Sequence, residues 1–343
     1  MKRIVLSVLV LTGLWGCTQS ELVSHEEENV EIRLRSTALS VESVTKSATR
    51  SAFEGGISSG NTLTARVLAS SATGNYTSTY LSADGTMTFN DDGLTQVGFN
   101  TTPQYYPVNN ANVYFCGLYP STGWDADQTI TASFTFHGNE DVMSAAQVSS
   151  KKDEAKGGTF KTLNFNHLLT QLVISVVAEN DAAITAWGNL QTLNLSKAGG
   201  DNPNSAVKVT LSSGAVAENG FSSPLSDNSF KFWVCNPGPA SETAFSGQSK
   251  ALTTTATVVA YSMVCPIAAD GADDYTLLVT TANSGGAVTV PVNLKATAGG
   301  AAYSGNTQGR KFVVTLTFKS TEIQALGSVT DWVNDGGGSE VIQ

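Results

Sequence analysis

Charged residues are scarce in this sequence, and cations are the scarcer kind. Asp, Glu, Lys and Arg make up only 14% of the 343 residues, against about 25% in an average globular domain. Residues 51–343 carry 13 Lys or Arg and 23 Asp or Glu, which is a net charge of −10. Because binding to nucleic-acid phosphates requires clustered cations, we exclude nucleic acid as a partner of this chain.

Histidine is also scarce, and this limits metal and acid–base chemistry. The chain has only three, His25, His137 and His167. They form no triad or metal-binding cluster, and no cysteine spacing is typical of a zinc site. His167 lies between Phe165 and Leu168, where we predict a structural histidine. We expect neither a metal nor a cofactor.

Short matches to catalytic motifs lack the structural context that the chemistry needs. Gly56–Gly60 matches the G-x-S-x-G nucleophile elbow, but neither a preceding strand nor a following helix is predicted around it. Ser205–Lys208 and Ser226–Asn228 are similar to two penicillin-binding motifs, yet the first alternates as a strand where that chemistry needs a helix start. Asp270–Asp274 has too few ligands for a calcium loop. We therefore predict that the protein is not an enzyme.

Long hydrophobic runs are absent, except for one close to the N-terminus. Ile4–Leu14 is apolar, but it has about half of the ~20 residues that a membrane-spanning helix needs. The basic residues Lys2 and Arg3 before it, and Leu-x-Gly-Cys at its end, predict an export signal over residues 1–16 with lipid attached to Cys17. The alternative is an ordinary signal peptide followed by an incidental cysteine.

The other cysteines leave a choice between a disulfide and buried thiols. With Cys17 as the lipid acceptor, Cys116, Cys235 and Cys265 remain, and an odd number cannot all pair within the chain. A disulfide between Cys235 and Cys265 suits an oxidising compartment. Free cysteines that are buried as small hydrophobic residues are the alternative.

Residues 17–50 have the pattern of a leader that contains one β-strand. Val30, Ile32 and Leu34 fall on every second position, as a half-buried strand requires. A linker of small and polar residues follows. A strand before a flexible linker is an unusual way to begin a domain, and it suits a strand that is later removed.

The end of this linker is the predicted proteolytic site. Cleavage between Arg50 and Ser51 would fall in a flexible, accessible segment, and Lys46 is the alternative position. Beyond the linker an arginine-specific protease would find only Arg66 and Arg310. The two arginines inside the predicted strand would be shielded by strand pairing.

The rest of the chain is predicted to be all-β and to form two domains. Short runs of apolar alternation recur between clusters of Gly, Asn and Asp, which is typical of β-sandwiches. We place the N-terminal domain at residues 51–158 and the C-terminal domain at residues 159–343. Residues 138–160 are interpreted as the junction or a long loop, and Ala83–Gly85 as a turn.

A series of motifs extends from the lipobox to the C-terminal region. They are Cys17, Thr49-Arg50, Tyr119-Pro120, Asp141-x-Met143-x-Ala145, Phe165-x-His167-Leu168-Leu169-x-x-Leu172-x-Ile174, and Tyr303 to Phe318 followed by Val329-Thr330-Asp331-Trp332. Each motif alone consists mostly of ordinary strand residues. In this order and spacing they together resemble the fimbrillin-like proteins of Bacteroidales, which are the subunits of type V pili.

The resemblance implies two transthyretin-like β-sandwich domains, export as an outer-membrane lipoprotein, and removal of the leader by an arginine-specific protease. The vacated groove would then accept a β-strand from another fimbrial subunit. The mature protein would be a subunit of a cell-surface fimbria that serves adhesion. The candidate donor strand lies near the C-terminus and contains Ile323, Val329, Trp332, Val341 and Ile342. The alternative is that Val329–Val333 pairs within its own domain.

A second hypothesis is a monomeric surface lipoprotein that binds glycans. Trp124, Trp187 and Trp233 would serve as stacking platforms for sugar rings. They could equally be core residues, and the apolar neighbours Phe232 and Val234 favour the core for Trp233. Assembly distinguishes the two hypotheses, since a pilin polymerises after arginine cleavage and a glycan binder stays monomeric.

Overall fold

The structure is a computed structural model, and strands dominate it. It describes residues 29–38, 62–88, 95–99, 103–125, 129–197, 200–222, 225, 230–234, 243–267, 275–292 and 307–331. The strands are β1 (Leu34–Ala38), β2 (Thr62–Ala72), β3 (Asn75–Thr88), β4 (Thr95–Phe99), β5 (Val113–Tyr119), β6 (Thr131–Thr135), β7 (Met143–Ser150), β8 (Thr162–His167), β9 (Thr170–Ala178), β10 (Leu190–Lys197), β11 (Ala206–Thr210), β12 (Ala215–Ser222), β13 (Trp233–Val234), β14 (Thr257–Val264), β15 (Tyr275–Thr281), β16 (Val288–Val292), β17 (Arg310–Phe318) and β18 (Ile323–Asp331). Two short helices, α1 (Lys152–Lys156) and α2 (Asp181–Trp187), complete the described elements. The all-β prediction is confirmed. Within the described ranges no helix has both the length and the apolar character needed to cross a membrane.

The strands form four sheets. Seven of them make a closed sheet in the order β1-β4-β3-β2-β5-β7-β8, in which the last strand pairs with the first. The other sheets have the orders β12-β11-β6, β10-β15-β16 and β13-β14-β9-β17-β18. β6 comes before residue 158 in the chain but pairs with β11, which comes after it. Strand pairing therefore links the two halves of the chain.

Two hydrophobic cores follow from this arrangement. One fills the interior of the closed sheet, and the other is built mainly by residues of the later sheets. β5 contributes to both, because Phe115 packs in the first core while Cys116 and Leu118 pack in the second. Successive strand residues point to opposite faces, so a strand that is buried on both faces joins the two cores.

A glycine makes room for a phenylalanine inside the closed sheet. A Cβ atom at Gly117 would lie 2.4 Å from Cζ of Phe165, which is far inside van der Waals contact. Phe165 is fully buried, and it packs directly on the glycine backbone of β5. Only glycine allows this close approach of β8 to β5.

Two local predictions are wrong. Ala83–Gly85 was expected to be a turn, but these residues continue β3 and pair with β2. The glycine serves packing, because a Cβ at Gly85 would lie 2.6 Å from Cγ1 of Val97. The loop expected within residues 138–160 is replaced by β7, which pairs with β5 and β8 in the closed sheet, and by α1.

The turn between β11 and β12 packs tightly against β7. The backbone N–H of Gln147 donates a hydrogen bond of 3.1 Å to the carbonyl oxygen of Ser212. Gly214 has a φ of +63°, and a Cβ there would lie 2.6 Å from the backbone nitrogen of Ala146. The absence of a side chain at Gly214 is therefore a condition of this contact between the two halves.

Cys116 and Cys265 are buried and free, which confirms the buried-thiol alternative for Cys265. Cys235 lies outside the described residues. Burial raises the pKa of the Cys116 thiol to about 12, and it also raises the pKa of Cys265. A nearby positive charge at Lys197 opposes the shift at Cys265, but burial is the larger effect.

We expect both thiols to resist alkylation in the folded protein at pH 8. The thiolate is the reactive form of cysteine, and a pKa of about 12 leaves Cys116 almost entirely protonated at that pH. Iodoacetamide labelling followed by peptide mass spectrometry should show both residues unmodified in buffer and modified in 6 M guanidinium. Equal labelling in the two conditions would contradict the buried positions.

Candidate functional site

The predicted removable strand occupies a groove in the closed sheet. Its first part pairs with residues 104–106, since the N–H of Ile32 donates to the carbonyl of Gln104 at 2.6 Å and the N–H of Tyr106 donates to that of Val30 at 2.9 Å. Its second part is β1, which runs antiparallel to β4 and parallel to β8. The segment therefore has a backbone partner on one side at its start and on both sides further along.

The side chains of this segment alternate as the sequence predicts. Ile32 and Leu34 are 1% and 0% exposed, and Val30 is partly buried against the same core. Leu34 faces Val97 of β4 across the pair. Burying one large aliphatic side chain contributes about 1.5–3 kcal/mol, so Ile32 and Leu34 are the main apolar contributors to the docking of this strand.

The opposite face of the segment carries the charged residues. Arg33 is exposed and forms an ion pair of 3.0 Å with Glu31. The guanidinium of Arg35 lies 5.8 Å from the centroid of the Phe160 ring, and the Arg35 N–H donates to the carbonyl oxygen of Lys161 at 2.9 Å. Exposed pairs of this kind contribute little stability. Apolar burial and backbone pairing therefore hold the strand.

β1 is the strand that closes the sheet. Without β1, the edge strands of this sheet would be β4 and β8. β1 pairs with both of them and so closes the sheet. Removal of Val30–Ala38 would leave the facing backbone groups of β4 and β8 without their present partners and would expose the apolar slots of Ile32 and Leu34. Buried backbone groups and open sheet edges favour pairing with another strand. The vacated site would be an acceptor for one extended chain.

Several residues at this site were not anticipated from the sequence. The groove walls come from β4, β8 and residues 104–106, which are distant in the chain from the strand that they hold. Ser36, which is fully buried, was also missed. The sequence does carry a signal for its burial, because Ser36 continues the alternation of Ile32 and Leu34.

The candidate donor residues have different placements. Ile323 and Val329 belong to β18, which pairs with β17 along its whole length, with Ile323 opposite Phe318 and Val329 opposite Phe312. The alternative expected for Val329, pairing within its own domain, is therefore the observed state. Trp332, Val341 and Ile342 lie outside the described residues, as do Cys17, Arg50 and Ser51.

The tryptophans that the glycan hypothesis requires are engaged in packing. Trp124 is buried, while Trp187 and Trp233 pack as partly buried residues against the larger core. Each indole N–H donates to a backbone carbonyl, and the acceptors are Pro120, Lys319 and His137 respectively. This packing and these hydrogen bonds favour structural roles for the three residues.

The two described histidines have carboxylate partners. Nδ1 of His167 lies 2.9 Å from Oδ1 of the buried Asp141, and Nδ1 of His137 lies 3.1 Å from Oε1 of Glu140. This agrees with a structural role for His167. Within the described ranges no group of three or more His, Cys, Asp or Glu residues could hold a metal ion.

The motif-like segments do not form a catalytic arrangement in the described part of the chain. Ser205 is buried next to β11, so Ser205–Lys208 leads into a strand as predicted. Gly56–Gly60, Ser226–Asn228 and Asp270–Asp274 lie outside the described residues, as does His25.

The comparison with family models identifies one family, and solved structures of similar fold accompany it. A family model described as fimbrillin-like matches residues 45–332. A candidate cell adhesion protein from Bacteroides uniformis has a solved structure with 16% sequence identity and a TM-score of 0.50, over 88% of this chain and 98% of that chain. A second one, from Bacteroides ovatus, has 14% identity and a TM-score of 0.50, over 89% and 99% of the two chains. A fimbrial protein from Bacteroides vulgatus has 15% identity and a TM-score of 0.40, over 80% and 93%. No curated protein matches the chain.

Proposed function

The chain belongs to the fimbrillin-like family, and on that premise we propose that it is a structural subunit of a cell-surface fimbria, assembled by β-strand donation and serving adhesion. The observation that carries the proposal is the docking of Val30–Ala38, whose first part pairs with residues 104–106 and whose second part, β1, lies between β4 and β8. This segment precedes the predicted cleavage site in the chain, and its departure would open the closed sheet. The acceptor half of a strand exchange is thus built from residues of this chain.

The maturation that fits this geometry begins with export as a lipoprotein. Lipid on Cys17 would hold the precursor at the outer membrane, since two or three acyl chains give stable anchoring. An arginine-specific protease would then cut between Arg50 and Ser51. Arg35 is a poor site before strand release, because its backbone is paired in β1. The pairing thus directs cleavage to the linker and keeps the strand intact until it leaves.

The family also implies two transthyretin-like domains, at residues 51–158 and 159–343. Two separate hydrophobic cores support a two-part organisation. Strand β8, at Thr162–His167, pairs with β7 and β1 in the closed sheet. The proposed acceptor groove therefore uses residues from both sides of the expected boundary.

We expect cleavage after Arg50 to make the protein competent to polymerise. Cleaved protein should form fibres by electron microscopy and heat-resistant ladders on gels, because the vacated groove offers main-chain pairing and apolar slots to a donor. An Arg50→Ala, Lys46→Ala variant, which keeps its leader, is the matched control and should stay monomeric.

A deletion of residues 334–343 tests the C-terminal donor hypothesis in the same assay. Loss of polymers in the cleaved, truncated protein would support a donor role for the segment with Val341 and Ile342. Undiminished polymerisation would place the donor elsewhere. Polymerisation by the uncleavable control would refute the strand-replacement mechanism itself.

A further inference from the structure

Ser36 is a weak point in the contact between the resident strand and its groove. The residue is 0% exposed, and its hydroxyl oxygen finds no hydrogen-bond partner among the residues that the structure describes. A hydroxyl that gives up water without a protein partner is costly to bury. The strand therefore docks with two favourable aliphatic contacts and one unfavourable polar contact.

The inward residue after Leu34 is small and fully enclosed. Counted from the first fully buried position, Ile32 and Leu34 are the first and second inward residues and Ser36 is the third, opposite the fully buried Leu163 of β8. Extra methyl groups in a closely packed site force neighbouring side chains to move, which destabilises the packing. The groove therefore suits a strand with a large aliphatic residue at each of the first two inward positions and a small apolar residue at the third.

We infer that the partner of this groove is a β-strand of another subunit that carries alanine where the resident strand carries Ser36. The inference rests on the proposed function, in which the resident strand leaves and a donor takes its place. An alanine fills the slot without burying a hydroxyl, so the donor binds more tightly than the segment that it replaces. The serine keeps the precursor strand docked but replaceable.

The pattern also limits which segment can supply the donor strand. Within residues 323–343 no window has two large aliphatic residues at alternate positions followed by a small one at the next alternate position. β18 is moreover paired with β17 in its own sheet. The C-terminal region of a second copy is therefore a poor match to this groove, and the donor strand comes from another segment of a fimbrial subunit.

The test compares peptides on protein cleaved after Arg50. Three nonamers are used: the resident sequence Val30–Ala38, its Ser36→Ala version and its Ser36→Val version. Each is titrated against cleaved protein that holds a fluorescent leader fragment, and displacement is followed by anisotropy. The Ser36→Ala peptide should displace the fragment at about a tenfold lower concentration than the resident sequence, and the Ser36→Val peptide should be weaker than the alanine peptide.

The reciprocal experiment places the same change in the full chain. Ser36→Ala in the resident strand should make it about tenfold harder to displace by the alanine peptide after cleavage. Ser82→Ala replaces an exposed serine of β3 in the same closed sheet, and it should leave displacement unchanged. If Ser36 affected only the general stability of the fold, alanine in the peptide would not make displacement easier while alanine in the resident strand makes displacement harder.

The outcomes separate this inference from the proposed function. Equal displacement by the serine and alanine peptides would overturn the role of Ser36, and tight binding of the valine peptide would overturn the small slot. Tighter binding by a peptide of residues 332–343 than by the alanine peptide would overturn the exclusion of the C-terminal region as the donor. Failure of all peptides to displace the fragment would refute strand exchange itself.

Discussion

Leu34→Ala should lower the free energy of unfolding of the uncleaved protein by about 2–5 kcal/mol. Leu34 is 0% exposed at the centre of the docked segment, and it faces the buried Val97 of β4. The substitution removes buried aliphatic surface and leaves a cavity in a wall of the closed sheet. Urea denaturation followed by circular dichroism measures the loss. After cleavage at Arg50 the leader fragment should also leave faster, because one of its two fully buried aliphatic side chains is gone.

The control for this prediction is Leu326→Ala. Leu326 is 55% exposed on β18, so the same chemical change should alter the free energy of unfolding by no more than about 0.5 kcal/mol. If the two variants lose the same stability, Leu34 is not docked in the groove. If Leu34→Ala unfolds earlier but the leader fragment leaves no faster, the residue supports the fold without holding the strand.

Gly214→Ala should also be strongly destabilising, by about 3 kcal/mol or more. Gly214 has a φ of +63°, and an added Cβ would lie 2.6 Å from the nitrogen and 2.9 Å from the Cα of Ala146. Backbone atoms of a paired strand cannot move away as a flexible side chain can. The turn between β11 and β12 would have to separate from β7, which weakens the contact between the two halves. Thermal and urea denaturation should both show the effect.

Gly158→Ala is the matched control, because it carries the same backbone strain without the clash. Gly158 has a φ of +78°, and nothing lies within 4 Å of its added Cβ. Backbone strain alone costs about 1–2 kcal/mol for an L-residue in this region. The difference between the two variants measures the steric contribution at Gly214. Equal losses would mean that the close approach of Gly214 to β7 does not stabilise the protein.

Local patterns predicted much of the secondary structure. The alternation of Val30, Ile32 and Leu34 correctly identifies the inward face of the N-terminal segment. β17 shows the same alternation, since Phe312, Val314, Leu316 and Phe318 are buried. These predictions succeed because the side-chain period of a strand is a local property that burial of one face makes visible.

Turn signals and polar stretches were less reliable. Ala83–Gly85 has turn-like composition, yet its glycine serves the close approach of Val97. Met143–Ser150 contains three serines and a glutamine, yet it is β7 of the closed sheet. Composition reports how a segment behaves in isolation, whereas pairing on both sides of a strand can outweigh a weak local preference.

By itself the sequence determined that the chain is an all-β protein with an alternating N-terminal segment, and its motifs pointed to the fimbrillin-like family. Only the tertiary structure decided which strands hold that segment, that β1 closes a sheet between β4 and β8, and that β18 pairs with β17. It also placed Ser36 in a closed slot without a hydrogen-bond partner among the described residues. Alternation specifies which side chains of a strand face inward, but the partner strands and their register depend on residues far away in the chain. A groove is made by those partners, and for that reason its chemistry appears only once they are in place.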